Sequence, residues 1–248
     1  MKKLHLSVFV CLLTFAACSE APKKETAATS TVAAEAQKVI SPTLSDAETV
    51  AGIKLLFNGQ NTEGWHVYQK DSTVHWEINN GILSTKGGHN DLVTNAEYDN
   101  FELSFDWNVG KGGNSGVFYM VQDEPTKMKN TYESGIEYQI IDDKGWGDTL
   151  EAGQKAGAVY DLYPPIVAAA KDAGEWNTGK IICNKGRIQH FINDALTADY
   201  TWNSDDYKKR FAKSKFKDWP FAKKYKGHIA LQDHGQAVAY RNIKIKQL

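Results

Sequence analysis

A chain of 248 residues, with 42% hydrophobic and 24% charged residues, is long enough to bury one large core or two small ones. Its formal net charge of -1 lacks the basic excess typical of proteins that bind nucleic acids or anionic membrane surfaces. We therefore expect an ordinary globular domain with no nucleic-acid partner.

The N-terminus has the pattern of an export signal. "MKK" precedes the apolar run LHLSVFVCLLTFAAC, which is too short for a membrane span. Ala16 and Ala17, directly before Cys18, resemble a bacterial lipobox, with Phe15 where that motif usually has Leu. We predict a signal peptide over residues 1–17 and a lipidated Cys18 that anchors the protein in the cell envelope, in the periplasm or at the outer membrane. A plain secretory peptide cut near Ala17 would instead make the protein secreted.

Residues 18–50 have the composition of a disordered tether. From Ser19 to Glu48 the chain is rich in Ala, Thr, Ser, Lys and Glu and has no aromatic residue, so it cannot bury enough apolar surface to fold. The folded domain is predicted over residues 51–248. Once Cys11 has left with the signal and Cys18 carries lipid, Cys183 is alone, so no disulfide is expected in the mature chain.

The domain itself alternates apolar and polar residues between turn signals. "NFELSFDWNVG" has strict period two, and "HWEINNGIL" and "KIICNKGRIQHFIND" repeat the pattern around turns that contain glycine. These features favour an all-β sandwich or jelly roll. The segment Ser204 to Phe216 predicts a short helical insertion with Ser204 as its cap.

Polar residues follow one face of the strand predicted in "SGIEYQIIDD". Glu137 and Gln139 share that face, and Asp142 would join them if a bulge at Ile140 or Ile141 reset the alternation. A solvated polar face is the alternative interpretation of this strand.

Two further segments add polar side chains. "GGNSGVFY" places Asn114 at the start of a glycine-flanked strand, and "GHIALQDHGQAVAYRNIKI" places Gln232 and His234 opposite an apolar row. Amides, carboxylates and imidazoles beside aromatic rings are typical of carbohydrate sites, because sugar hydroxyls need both donors and acceptors. We therefore predict a sugar groove on one sheet face.

Two charged or titratable residues have apolar parity. His190 alternates with isoleucines, which predicts a core histidine with a hydrogen-bond partner. Arg241 shares the parity of the isoleucines that follow it, so either the strand bulges after Tyr240 or the arginine is partly buried and paired.

Seven motifs follow one another along the domain, in the order "LLFNGQNTEGW", "WEINNGIL", "NFELSFDW", "GGNSGVF", "GIEYQIID", "EWNTGKI" and the terminal "GHIALQDHGQAVAYRNIKI". Through these motifs the chain resembles the bacterial 3-keto-disaccharide hydrolase family over roughly Gly52 to Leu248. The resemblance implies a concanavalin A-like jelly roll of two antiparallel sheets, which lectins and laminarinase-type glucanases share. Those glucanases carry E-x-D-x-x-E. Glu137, Gln139 and Asp142 keep its spacing but not its residue types, which argues against ordinary glycosidase chemistry.

The resemblance also implies an activity. In a sugar oxidised at C3, a base can remove the acidified C2 proton, and the glycosidic oxygen can then leave C1; water adds back in a hydrolase, whereas a lyase releases the enone. His234 is the expected base with Glu137 as its competitor, and Asp142 is the expected acid. The expected ligands of the enolate oxygen and the sugar hydroxyls are Asn114, Gln139, Gln232 and Arg241. No cofactor is required, although a divalent metal held by Glu137 and His234 could serve as the electrophile.

Two other functions fit the same features. A jelly roll also suits a non-catalytic carbohydrate-binding module displayed at the cell surface, and it suits a conventional glucanase-like glycosidase that acts on unoxidised sugar.

Overall fold

Two antiparallel β-sheets pack face to face in the computed structural model, which describes residues 41–69, 74–124 and 126–248. This arrangement confirms the predicted all-β jelly roll. The predicted signal peptide, Cys18 and the first part of the predicted tether lie outside the described residues. Among the helices of the described ranges, none is long and apolar enough to cross a membrane.

Within the described residues, the larger sheet has eight strands. These are β1 (Lys54–Leu55), β3 (Glu77–Asn79), β4 (Ile82–Thr85), β6 (Phe101–Val109), β9 (Asn177–Asn184), β10 (Arg187–Ile192), β11 (Ala195–Thr201) and β13 (Val238–Gln247). They follow the order β11, β10, β9, β6, β13, β4, β3, and β1 also pairs with β13. Every second residue of β6 is buried, as its period-two sequence predicts.

The smaller sheet has five strands in the described part of the chain, and it carries the site. These are β2 (Trp65–Val67), β5 (Leu92–Tyr98), β7 (Asn114–Val121), β8 (Ile136–Ile141) and β12 (Gly227–Leu231), in the order β2, β5, β12, β7, β8. Its inner face contributes apolar residues such as Val117, Ile140 and Leu231 to the core.

Aromatic side chains fill the space between the sheets. Trp107, Tyr119, Tyr138 and Tyr240 are among the largest fully buried side chains, and Phe105 of one sheet meets Tyr138 of the other edge to face at 5.4 Å between ring centres. Each such side chain contributes on the order of 1.5–3 kcal/mol on burial. The chain therefore needs no disulfide to hold the sandwich, and Cys183 is buried and free.

The predicted core histidine is confirmed. His190 is fully buried, and its Nε2 lies 2.9 Å from the hydroxyl of Tyr119. Burial disfavours the imidazolium and lowers the pKa of His190 to about 3, so the ring is neutral.

The described helices are short: α1 (Asp46–Val50), α2 (Asp143–Trp146) and α3 (Asp205–Phe211), with 3-10 turns at Thr131–Glu133, Gly147–Thr149 and Ala152–Gln154. Ser204 caps α3 as predicted, since its hydroxyl accepts from the backbone N–H of Tyr207 at 3.2 Å. The helix ends at Phe211, however, earlier than the predicted limit of Phe216.

The end of the predicted tether is ordered, which corrects its boundary. Ser45 and Glu48 form a capping box at the start of α1. The Lys244 ammonium of β13 donates to the Glu48 carboxylate at 2.5 Å and lowers the pKa of Glu48 to about 2. The apolar content of this segment is low, but the cap and this ion pair order it against the domain.

Candidate functional site

The outer face of the smaller sheet presents Glu137 and Gln139. In the β7–β8 register Glu137 pairs with Phe118 and Gln139 with Gly116, without a shift along the whole ladder. Gly116 leaves room for the carboxyl, because a Cβ atom there would lie 2.4 Å from Oε1 of Glu137. The sequence of β7 therefore shapes the position of the acid on β8.

A cavity of about 260 Å³ opens on this face. It brings together five of the seven catalytic and substrate-binding residues that the sequence predicts, from β7, β8 and the loop after β12. Its walls are formed by Asn114, Tyr132, Glu137, Gln139, Tyr160, Lys215, Phe216, Gln232 and His234.

Glu137 is the buried carboxyl of this cavity. Burial raises the pKa of Glu137 to about 8, while the positive charge of Lys215 opposes that rise. The Lys215 ammonium lies over the ring of Tyr160, 4.2 Å from its centre, and 5.1 Å from that of Phe216. The site thus combines a carboxyl that titrates near neutral pH with a nearby cation.

Two amides in the cavity have unused acceptors. Asn114 Oδ1 and Gln232 Oε1 are buried and have no hydrogen-bond partner within the described residues. A buried carbonyl oxygen without a partner costs about 1–3 kcal/mol, so a ligand hydroxyl that donates to it recovers this energy. Both amides are therefore suited to bind hydroxyl groups.

The side-chain amide of Gln139, unlike those of Asn114 and Gln232, has its hydrogen-bond partners within the protein. Its Nε2 donates to the carbonyl of Gln154 at 3.1 Å, and its Oε1 accepts from the backbone N–H of Ile140 at 3.1 Å. The first of these bonds holds the 3-10 turn at Ala152–Gln154 against β8. Gln139 lines the cavity, but its polar atoms are committed to the protein.

His234 lies at the exposed mouth of the cavity. Its Nδ1 is 2.9 Å from Oε1 of Gln236, which leaves Nε2 as the ring nitrogen available to a ligand. The preceding carboxylate, Asp233, accepts from Thr85 Oγ1 at 2.9 Å and from the backbone N–H groups of His89 and Gly235 at 2.7 and 2.9 Å. This ring of donors fixes the loop that carries His234.

Asp91 joins two walls of the site. Its carboxylate accepts from Thr131 Oγ1 at 2.5 Å and from the backbone N–H of Asp233 at 2.8 Å. Tyr132 and His234 are the next residues along these two segments. Burial raises the pKa of Asp91 to about 6.

A second cavity, of about 340 Å³, adjoins the first. The two share Tyr132, Gln232 and His234 as walls. The second cavity is otherwise lined by Tyr68, Gln69, Asn90, Asp91, Lys129, Asn130 and Asp233. The outer face of the smaller sheet thus carries a groove of two compartments.

Comparison with known proteins identifies the family. Residues 52–246 match the family model described as the 3-keto-alpha-glucoside-1,2-lyase-like domain. The chain belongs to this family. The match spans the whole sandwich, in agreement with the resemblance seen in the sequence motifs.

Relatives of this chain include a curated protein and solved structures. The chain is 32% identical over 228 residues to the 3-keto-disaccharide hydrolase of Bacteroides thetaiotaomicron, covering 79% of each chain. A candidate glycosyl hydrolase of Parabacteroides distasonis has a crystal structure with a TM-score of 0.79 and 33% identity, covering 84% of this chain and 99% of that one. Another candidate glycosyl hydrolase of that organism has a TM-score of 0.62 at 28% identity, covering 79% and 99%.

Asp142 lies outside the groove of this family member, so its location does not support its predicted role as the acid. Its carboxylate accepts from the backbone N–H of Gly112 at 2.9 Å, and its own N–H donates to Gly113. A Cβ atom at Gly145 would lie 2.1 Å from Oδ2 of Asp142. Because the β7–β8 ladder has no bulge, Asp142 keeps its parity and fastens a loop instead.

Arg241 also lies away from the cavity, so its location does not support the predicted role of a substrate ligand. β13 bulges between Arg241 and Lys244, which restores the apolar parity of Ile243 and turns Arg241 outward on the larger sheet. Its Nε donates to Asp106 at 3.0 Å, and its guanidinium stacks 4.1 Å from the centre of the Trp176 ring. The parity conflict is thus resolved by a bulge.

His228 precedes Gln232 and His234 in the terminal segment but does not line the cavity. β12 is irregular between His228 and Ala230, and His228 Nδ1 lies 2.7 Å from the carbonyl oxygen of Thr94. His228 faces His66, at 6.3 Å between ring centres, rather than the cavity.

Four cavity residues had no signal in the sequence patterns: Tyr132, Tyr160, Lys215 and Phe216. They lie in turns and in the lysine-rich segment after α3, where no periodicity indicates a face.

The predicted metal site depends on Glu137 and His234, which line one cavity. Within the described ranges, no group of three or more His, Cys, Asp or Glu side chains is arranged to hold a metal ion. Lys215 also places a positive charge beside Glu137. The metal stays a prediction.

Proposed function

We propose that this protein cleaves the glycosidic bond of 3-keto-glycosides, and of 3-keto-disaccharides in particular, by elimination from C2 and C1. The observation that carries the proposal is the cavity that Glu137, with a pKa near 8, lines together with Lys215 and His234. The names of the family and of its curated relative support the substrate class.

The reaction has two stages. A base removes the C2 proton, and the electron pair is stabilised as an enolate on the C3 oxygen. The enolate then re-forms the C3 carbonyl, the C1–C2 double bond forms, and the C1 oxygen leaves with a proton from an acid. Addition of water across the double bond, with oxygen at C1 and hydrogen at C2, completes a net hydrolysis.

Glu137 and Lys215 fit the first stage. C2 and C3 are adjacent atoms, so the base and the group that stabilises the C3 oxygen must act close together, and this carboxyl and this ammonium line the same cavity. A carboxyl whose pKa is raised toward neutrality is a stronger base than an exposed one. We assign proton removal to Glu137 and stabilisation of the C3 oxygen to Lys215.

His234 fits the second stage. It lies at the exposed mouth, through which the leaving group must depart, and Gln236 orients its ring. Imidazole exchanges protons near neutral pH, which suits a donor to the C1 oxygen. The sequence favours His234 as the base, whereas its position at the mouth favours the acid. Asn114 and Gln232 supply the acceptors for sugar hydroxyls.

Product analysis tests the proposal. The purified protein is incubated with a 3-keto-disaccharide and with its unoxidised parent, and the products are followed by NMR. Turnover of the keto sugar alone is the expected result. Turnover of the parent alone would indicate a conventional glycosidase, and binding without turnover of either would indicate a carbohydrate-binding module.

We also propose that a lipid on Cys18 anchors the protein in the cell envelope, as the N-terminal sequence indicates. Mass spectrometry of the mature N-terminus tests this. A diacylated N-terminal cysteine is expected, and an unmodified N-terminus after cleavage near Ala17 would indicate a secreted protein.

A further inference from the structure

The second compartment of the groove adjoins the residue that we propose protonates the leaving group. Its walls meet those of the first compartment at Tyr132, Gln232 and His234. If His234 delivers a proton to the C1 oxygen, the group attached to that oxygen lies on the far side of His234, within this second cavity of about 340 Å³.

The chemistry of the second cavity is polar throughout. Asn90, Lys129 and Asn130 add amide and ammonium donors, and Asp91 adds a carboxylate. The dividing wall includes Gln232, which is 8% exposed and whose Oε1 has no partner in the described residues. Apart from the rings of Tyr68, Tyr132 and His234, no aromatic side chain lines this described cavity. Such a lining satisfies many hydroxyls and offers little to an apolar aglycone.

We infer that the second cavity is a subsite for the leaving group, and that it selects a hydroxyl-rich sugar over an alkyl or aryl aglycone. The inference rests on the proposed function, since it takes the first cavity as the place of the keto ring. It assigns a recognition role to Asn90 and Lys129. The structure gives neither side chain a hydrogen bond within the described ranges.

Kinetics with two substrates of one anomer test the inference. Each comparison pairs a glucose disaccharide oxidised at C3 of its non-reducing ring with the methyl 3-keto-glucoside of the same anomeric configuration, and both the α pair and the β pair are measured. Asn90→Ala and Lys129→Met should each raise KM for the disaccharide about three- to tenfold, as expected for one lost hydrogen bond, and change KM for the methyl glycoside less than twofold. Asn79→Ala, an exposed asparagine of β3 on the other sheet, is the matched control and should alter neither value.

Equal effects on both substrates would overturn the inference, because the second cavity would then serve the keto ring. No effect on either would overturn it as well. The Asn90 backbone carbonyl accepts from the Trp76 indole at 3.2 Å, and this bond does not involve the side chain that is changed. Unchanged thermal unfolding confirms that the variants fold.

Calorimetric binding of unoxidised ligands separates this inference from the proposed reaction. The unsubstituted protein should bind the unoxidised disaccharide more tightly than methyl glucoside, and Asn90→Ala should remove most of that difference. This result would support the subsite even if no keto sugar were turned over. Equal affinity for the two ligands would overturn the subsite even if turnover were observed.

Discussion

The Asp91 carboxylate accepts a hydrogen bond from the backbone N–H of Asp233 at 2.8 Å, and this bond ties the floor of the groove to the loop that carries His234. The same carboxylate holds Thr131, which precedes Tyr132. One side chain therefore links the segments that carry Tyr132 and His234, two of the three residues that both compartments share.

Asp91→Ala should loosen both walls, because it leaves the Thr131 hydroxyl and the Asp233 N–H without their acceptor. A loss of about 1–3 kcal/mol in the free energy of unfolding is expected, together with a roughly tenfold fall in kcat/KM for the 3-keto-disaccharide. Asp91→Asn should retain most of the unfolding free energy and most of the kcat/KM, since its Oδ1 can accept from Asp233 and its Nδ2 can donate to the Thr131 hydroxyl. Urea unfolding and steady-state kinetics measure the two effects. Equal loss in both variants would show that charge, and not the hydrogen bonds, is what matters.

The raised pKa of Glu137 predicts how stability depends on pH. The folded protein favours the protonated carboxyl, with a pKa near 8 against 4.5 for the free group. The stabilising contribution of Glu137 is therefore complete below pH 4.5 and is lost as the pH rises to 8. Glu137→Gln cannot ionise. The unfolding free energy of this variant minus that of the unsubstituted protein should therefore be about 1–3 kcal/mol larger at pH 8 than at pH 4.5.

Urea unfolding at several pH values measures this gain, and an unchanged difference between the two proteins would contradict the burial of an ionisable Glu137. The same variant should lose about 10²–10⁴-fold in kcat, because a glutamine cannot remove a proton. In the unsubstituted protein kcat/KM should rise toward pH 8. A fall on approaching that pH would instead make Glu137 the proton donor.

Gly116→Ala tests the space reserved for the carboxyl. The new Cβ would lie 2.4 Å from Oε1 of Glu137, so the carboxyl must move away from the position that the β7–β8 register gives it. A fall in kcat of at least tenfold is expected for a displaced base. Gly110→Ala is the matched control, because a Cβ atom there meets nothing within 4 Å and Gly110 has no positive φ. Full activity in Gly116→Ala would show that the Glu137 position is not critical.

The period-two pattern predicts most of the site because it predicts on which face of a sheet each side chain lies. Glu137 opposes Tyr138 and Ile140 on β8, and Gln232 follows Leu231 on β12, so their directions follow from strand alternation alone. The pattern fails at bulges, which depend on how a strand fits its neighbours. The sequence leaves open a bulge in β8, which the regular ladder lacks, and a bulge in β13, which the structure contains and which turns Arg241 outward.

Residues outside regular strands could not be predicted from spacing. Lys215 follows α3, and its place over Tyr160 depends on long-range contacts such as the bond from its backbone N–H to Asp161 Oδ2 at 2.9 Å. No local periodicity reports such a contact. Lys215 is therefore the site residue for which the structure adds most.

Arg241→Ala should leave catalysis intact, since Arg241 lies on the larger sheet and pairs with Asp106. The guanidinium is 38% exposed, so its loss should cost at most about 1 kcal/mol in unfolding free energy. Steady-state kinetics check the catalysis of this variant, and thermal unfolding checks its stability. A large rise in KM with unchanged stability would restore Arg241 as a substrate ligand.

Leaving-group dependence distinguishes an acid from a base at His234. His234→Ala removes the proposed donor to the C1 oxygen but keeps Glu137 and Lys215, so expulsion of a sugar alkoxide should slow about 10²–10⁴-fold. A 3-keto-glucoside with a nitrophenol leaving group needs no such proton, and its kcat should fall less than tenfold. Gln236→Ala, which only releases the Nδ1 contact of His234, should give a smaller loss with the disaccharide. Equal losses with both leaving groups would show that His234 acts before the C1–O bond breaks, and would return the role of base to the histidine.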